Sequence, residues 1–161
     1  MNIDIQPLPH RDPHIAGAIH AIHMVAYAQE ARTLGATLFP PLERSVQDIA
    51  SSPERFLGAW SAGRLVGALG LEHGLADEEI EIASLVVLPE WQRRGIGRRL
   101  VAAALAGYEN VPAKVSTGAK NGPALALYVR FGFVEASRRF VGPERLEVIG
   151  LVRPPGPRTA P

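Results

Sequence analysis

Residues Ser84–Leu100 read SLVVLPEWQRRGIGRRL, which combines an apolar strand, a glycine-containing loop and the start of a helix. Backbone N–H groups at a helix start have no partner within the helix and lie at the positive end of its dipole. Because Gly95 and Gly97 have no side chains, an anion can approach this backbone, and the loop can bind phosphate. The stretch lacks the Gly-Lys-Ser/Thr of a P-loop and the third glycine of a dinucleotide fingerprint. From these residues alone two interpretations stay open: a phosphate-binding loop, or a strand–turn–helix whose arginines face solvent.

A longer pattern around the loop resembles the signature of a known family. Residues 87–97, VLPEWQRRGIG, resemble the Val-x-Pro and the Gln/Arg-x-x-Gly-x-Gly/Ala of the GCN5-related N-acetyltransferases. Residues 121–133, NGPALALYVRFGF, resemble the family's Asn-x-x-Ala-x-x-Leu-Tyr-x-x-x-Gly-Phe. The two segments follow each other in the family's order, whereas the first eighty residues or so resemble the family only in layout.

The resemblance implies that the chain binds acetyl-CoA as a co-substrate. The strand at 85–87 would offer backbone groups to the pantetheine arm like an added half-strand, and the loop would hold the pyrophosphate. Asn121 matches the family asparagine that contacts the pantetheine region, but an Asn before Gly-Pro-Ala is also a good helix N-cap, and both roles stay open. The implied cofactor-binding residues are Leu85, Val86, Val87, Gln92, Arg93, Arg94, Gly95, Ile96, Gly97, Arg98 and Asn121.

The chemistry that the resemblance implies is acetyl transfer from a thioester to a primary amine by direct attack in a ternary complex. Tyr128 matches the family tyrosine that supports the departing thiolate as a hydrogen-bond donor. Glu81 stands where the histone-type members place their general base, with Glu79 or a water chain as alternatives. Either glutamate can instead be a solvated charge at the edge of the strand, and this interpretation stays open. The ribosomal-protein acetyltransferases of the family carry a glutamate on the next strand, where this chain has Ser116, and this departure argues against ribosomal-protein acetylation.

The composition of the chain argues against several other classes of function. The chain has 161 residues, 47% of them hydrophobic, which predicts one folded domain over residues 1–152 and a Pro-rich, disordered tail over residues 153–161. A net charge of +1 argues against a nucleic-acid coat, and the helix near Ile15–Ala28 is interrupted by His20 and His23, so no membrane partner is expected. Cysteine is absent, which excludes a cysteinyl acyl-enzyme and favours the cytoplasm.

No metal site is predicted. Four of the five histidines lie in or beside the first helix, where solvated or half-buried roles are expected, and no HExxH spacing occurs.

Periodicity predicts an α/β fold with a mixed central sheet and helices on both faces, in the order βααβββαβαββ. By resemblance, the sheet should splay after the strand that ends at Val87 and open a cleft for the cofactor. The runner-up function is a non-catalytic acyl-CoA sensor, and a third is an adaptor that uses the Pro-rich tail. The sequence does not identify the acceptor, which can be a small amine, an antibiotic, a peptide N-terminus or a protein lysine. It does not identify the oligomeric state either, and a homodimer is one possibility.

Overall fold

A seven-stranded mixed sheet runs through the residues that the computed structural model describes, 2–75 and 78–156. The strands lie in the order β1-β2-β3-β4-β5-β7-β6, and only the β4–β5 pair is parallel. The strands are β1 (Asp4–Leu8), β2 (Arg55–Ser61), β3 (Arg64–His73), β4 (Ile80–Val87), β5 (Ala113–Gly118), β6 (Val134–Val141) and β7 (Leu146–Arg153).

Within residues 2–75 and 78–156, four α-helices flank the sheet: α1 (Pro13–Leu34), α2 (Val46–Ala50), α3 (Ile96–Leu105) and α4 (Gly122–Arg130). Short 3-10 helices, which the sequence analysis did not predict, lie at Pro40–Glu43 and Pro89–Trp91. Helix α1 packs against β3 and β4, and α3 packs against β1 to β4. A Cβ on Gly67 would lie 3.2 Å from Ile96 of α3, and a Cβ on Gly118 would lie 2.6 Å from Leu34 of α1. The predicted order and the predicted α/β class are confirmed.

Helix α1 is longer than the sequence suggested. Asp12 caps it, since its Oδ1 accepts the N–H of His14 at 2.9 Å, and Pro13 supplies the preset first helical residue. The helix continues to Leu34 and ends at Gly35, which takes the left-handed conformation with φ 69°. The extra turn and a half brings a further glutamate, Glu30, onto the helix.

The position of His23 corrects the expectation of a solvated or half-buried histidine. Its side chain is 1% exposed, and neither ring nitrogen has a hydrogen-bond partner among the described residues. Its position, four residues after Ile19, places it on the buried stripe of α1, and its ring packs edge-on against Tyr27 at 5.0 Å. Burial lowers the pKa of His23 to about 4, with smaller contributions from Arg44 and His20, so the imidazole is neutral at pH 7.

This burial predicts an acid-labile fold. Because the pKa of His23 is lower in the folded than in the unfolded chain, stability is full above pH 6.5 and falls as the pH drops towards 4. Between pH 6.5 and pH 5 this group should cost about 1.5 kcal/mol of unfolding free energy. Urea unfolding at the two pH values should show this loss in the parent and in the control His14→Gln, whose side chain is exposed. In His23→Leu, which lacks the titrating group, the decrease in unfolding free energy between the two pH values should be smaller than in the parent by this contribution. The same decrease in His23→Leu as in the parent would contradict the prediction.

The C-terminal tail is described only in part. Arg153, predicted as the first tail residue, is the last residue of β7, and the N–H of Gly156 donates to the carbonyl of Glu109 at 2.6 Å. Residues 157–161 lie outside the described residues, so the disordered tail stays a prediction. Among the described residues, no helix has the length and apolar character needed to cross a membrane.

Candidate active site

The sheet opens between β4 and β5. Their parallel ladder runs only from Ile80 to Ile82 on β4, five residues before the end of that strand. A register shift in the β3–β4 ladder leaves Ala83 unpaired at the same point, and a bulge of this kind bends the strand that carries it. The remainder of β4 therefore pairs with β3 alone and diverges from β5.

A cavity of about 650 Å³ occupies this opening. Helix α1 contributes Tyr27, Glu30 and Leu34, whose spacing of three and four residues places them on one helix face. Helix α4 contributes Asn121, as its N-cap, and Tyr128, seven residues later on the same face. The two helices therefore meet across the gap between the diverging strands.

Asn121 joins the two helices through its side-chain amide. Its Oδ1 accepts the N–H of Ala124 at 3.3 Å, which is the N-cap of α4, and its Nδ2 donates to Oε1 of Glu30 at 3.2 Å. The N-cap role that the sequence left open is thus present. Its contact with the cofactor stays a prediction.

Tyr128 lines the cavity and is 4% exposed. Its ring packs edge-on against Phe133 with centroids 5.7 Å apart, and no hydrogen bond of the described residues involves its hydroxyl group. Burial, and next the charge of Glu30, raise the pKa of Tyr128 above its usual range. The hydroxyl group is therefore a protonated donor at neutral pH.

The glycine loop lies beyond the end of β4 and outside the lining of the cavity. Gly95 is the N-cap of α3 in the left-handed conformation, φ 78°, and no side chain caps the helix. The first N–H groups of α3, on Ile96, Gly97 and Arg98, therefore have no partner within the helix. Three of the loop arginines, Arg93, Arg94 and Arg98, are exposed, and the guanidinium of Arg94 stacks over Trp91 at 4.8 Å.

Gln92 ties this loop to the end of β4. Its Nε2 donates to the carbonyl of Val87 at 3.1 Å and to Oε1 of Gln29 on α1 at 2.7 Å. Of the three strand residues predicted to bind the cofactor, Leu85 lines the cavity, Val86 is buried and Val87 is half-buried beyond it. The predicted residues thus follow one path from the cavity to the start of α3.

Glu81 and Glu79 lie away from this path. Both carboxylates pair with Lys114 of β5, at 3.6 Å for Glu81 and 3.3 Å for Glu79, and neither lines the cavity. Lys114 is the register partner of Glu81 in the short β4–β5 ladder. The base role of Glu81 stays a prediction, and its carboxylate shares the ammonium group of Lys114 with Glu79. Ser116, at the position where the resemblance places the glutamate of the ribosomal-protein acetyltransferases, lines the cavity.

Sequence reasoning missed the three carboxylates that line the cavity within the described residues, Glu30, Glu144 and Glu147. Glu144, in the turn between β6 and β7, accepts the backbone N–H groups of Thr37 at 3.0 Å and Leu38 at 2.6 Å. It thereby links the loop after α1 to the turn between β6 and β7, and these N–H groups hold its pKa below the usual range. The sequence feature that could have identified Glu30 is its position four residues after Ala26, on the buried stripe of α1.

Metal ligands are not grouped in the part of the chain that the structure describes. No three His, Cys, Asp or Glu side chains there lie close enough together to hold an ion.

Comparison with known sequences places the chain among acetyltransferases. The model of the acetyltransferase (GNAT) family matches residues 18–133. N-alpha-acetyltransferase RimI of Mycobacterium tuberculosis is 34% identical over 122 residues, which cover 71% of this chain and 77% of RimI. UPF0157 protein YqkA of Bacillus subtilis is 35% identical over 133 residues, which cover 82% of this chain but only 38% of YqkA. The chain thus spans well under half the length of YqkA.

Solved structures share the fold at low sequence identity. The ribosomal-protein-S18-alanine N-acetyltransferase of Escherichia coli superposes with a TM-score of 0.76 at 21% identity, covering 98% of this chain and 97% of that one. The YncA protein of Salmonella typhimurium, solved with acetyl-CoA, gives a TM-score of 0.74 at 15% identity, covering 100% of this chain and 98% of that one.

Proposed function

The chain belongs to the acetyltransferase (GNAT) family, and from this premise we propose that it transfers the acetyl group of acetyl-CoA to a primary amine by direct attack. The predicted family and the predicted enzyme class, an N-acetyltransferase, are confirmed. The observation that carries the proposed mechanism is the cavity at the β4–β5 split, where Tyr128 lies beside the strand expected to hold pantetheine.

The residues present fit acetyl-CoA. Between Ser84 and Val87 the edge of β4 that faces β5 pairs with no strand of the described residues, so its backbone groups can pair with the amides of the pantetheine arm. Next along the path, the uncapped start of α3 offers N–H groups and a positive dipole end, with exposed arginines around it, to the pyrophosphate. The acetyl group would then reach the cavity beside Tyr128. A cytoplasmic location also belongs to the proposal and rests on the cysteine-free composition.

The proposed reaction needs one base and one donor. The acceptor arrives mainly as an ammonium ion, since amine pKa values of about 8 to 10 lie above pH 7, and it loses one proton to the base. Its nitrogen then attacks the thioester carbon, the C–N bond forms and the C–S bond breaks. The second proton of the nitrogen goes to the thiolate, and the base returns the first proton to solvent. The Tyr128 hydroxyl group donates a hydrogen bond to the thiolate as it leaves. The resemblance assigns the base to Glu81.

The acceptor is proposed only as a class, a primary amine. Two similar proteins are described as acting on α-amino groups, RimI as an N-alpha-acetyltransferase and the Escherichia coli enzyme on alanine of ribosomal protein S18. A peptide with a free N-terminal alanine is therefore the first acceptor to test, beside an N-terminally blocked lysine peptide and an aminoglycoside. Release of the CoA thiol, followed with each amine, tests the proposal. Tight binding of acetyl-CoA without turnover on this panel would favour the acyl-CoA sensor instead.

Acetyl-CoA should stabilise the folded chain whichever amine is the acceptor. At one hundred times its dissociation constant it should add about 2.7 kcal/mol to the unfolding free energy, because it binds only the folded state. Pantetheine, which lacks the pyrophosphate, should add much less at the same concentration. Thermal unfolding with each compound measures the difference. The absence of any shift with saturating acetyl-CoA would contradict the proposed function.

A further inference from the structure

Three carboxylates line the cavity within the described residues, and two of them already have strong partners. Glu144 accepts two backbone N–H groups, and Glu147 pairs with Arg138 at 2.6 Å. Glu30 receives one hydrogen bond, from Asn121 to Oε1, and no salt bridge of the described residues includes it. Its second oxygen, Oε2, therefore remains available to a ligand in the cavity.

The surroundings of Glu30 suit a positively charged ligand. The carboxylate lies on the same face of α1 as Tyr27 and Leu34, and it is close enough to Tyr128 to raise the pKa of that hydroxyl group. Burial raises the pKa of Glu30 itself, and the Asn121 hydrogen bond offsets part of this effect. A half-buried carboxylate of raised pKa is a better base near neutral pH than an exposed one. The other charged or titratable groups that line the cavity are Tyr27, Tyr128, Lys120, Glu144, Arg145 and Glu147.

We propose that Glu30 is the carboxylate that binds the ammonium group of the acceptor beside Tyr128 and accepts its proton. The inference rests on the proposed function and deepens it, because it moves the base from Glu81 on the sheet to α1. One Glu30 oxygen, held by Asn121, fixes the orientation of the carboxylate, while the other faces the amine. The proton that Glu30 takes is the first of the two that leave the ammonium ion, and Glu30 passes it to solvent after transfer.

Substitution of Glu30 by glutamine tests the inference. Glu30→Gln keeps the length of the side chain and an oxygen that can accept from Asn121, but it removes charge and basicity. We expect kcat/KM for the amine to fall by about 100-fold and the acidic limb of the pH–rate profile to disappear. Acetyl-CoA binding, read from thermal unfolding, should equal that of the parent. Glu30→Asp, which keeps a carboxylate, should retain the acidic limb at a lower rate.

Matched controls separate the inference from the alternatives. Glu135→Gln removes an exposed carboxylate of β6 that pairs with Arg138, and it should leave turnover unchanged. Glu81→Gln should cost less than Glu30→Gln. If Glu81→Gln removes the acidic limb and Glu30→Gln retains it, the base is Glu81 and the inference is wrong.

A second measurement keeps the two proposals distinguishable. Calorimetry with the alanine peptide in the presence of CoA should show binding at least tenfold weaker in Glu30→Gln than in the parent. If the parent transfers acetyl groups and Glu30→Gln matches it in rate and peptide affinity, the inference fails while the proposed function stands. If the parent binds acetyl-CoA but neither binds nor acetylates any amine of the panel, both fail.

Discussion

Gly97→Asp should abolish acetyl-CoA binding, with a loss of affinity of at least about 100-fold. Gly97 lies in the first turn of α3, and an aspartate there would place a carboxylate where the pyrophosphate oxygens belong and repel them. The fold should survive, because an acidic side chain near a helix N-terminus is locally favourable. Calorimetry with acetyl-CoA measures the loss, and thermal unfolding without ligand verifies the fold.

Gly97→Ala is the matched control for this variant. A Cβ at position 97 would lie 3.6 Å from Leu127, an ordinary van der Waals contact, so alanine fits without displacing a neighbour. We expect the alanine variant to bind acetyl-CoA within a few fold of the parent. If the aspartate variant binds as the parent does, the pyrophosphate does not lie at the start of α3.

Local signals explain why the order of elements could be predicted. Asp12 before Pro13 marks the start of α1, Pro89 follows the end of β4, and Gly132 follows α4, each through the backbone chemistry of a cap or a breaker. Tyr128 and Asn121 were found because they match the motif of the family that the sequence resembles; their spacing of seven residues places both on one helix face, and both line the cavity.

The cavity itself depends on pairings that no local signal encodes. The β4–β5 ladder stops at Ile82, beside the unpaired Ala83, and only the three-dimensional register shows this. The same register brings Lys114 beside Glu81, so a carboxylate chosen by motif position acquires an ion-pair partner. Glu30 was missed for a different reason: the polar residues that follow Ala28 concealed the last part of α1, which ends only at Gly35.

Tyr128→Phe should lower turnover by roughly ten- to a thousandfold, the usual cost of one lost transition-state donor. The substitution keeps the ring that packs against Phe133, so acetyl-CoA binding and the unfolding temperature should stay close to those of the parent. Because the pKa of Tyr128 lies above its usual range, the hydroxyl group stays protonated at neutral and mildly alkaline pH. The rate ratio of parent to variant should therefore be constant from about pH 6 to pH 9.

Tyr108→Phe serves as the matched control for the loss of this hydroxyl group. The Tyr108 hydroxyl group bonds to Nε2 of His73 at 2.6 Å and to Arg55 at 3.1 Å, outside the cavity. Its removal should therefore leave turnover unchanged at every pH tested. Equal rates for Tyr128→Phe and the parent would show that the thiolate leaves without help from Tyr128. A rate ratio that falls as the pH rises from 7 to 9 would instead mean that Tyr128 ionises in this range. The hydroxyl group would then be lost as a donor above neutral pH, which would contradict a pKa raised above the usual range by burial.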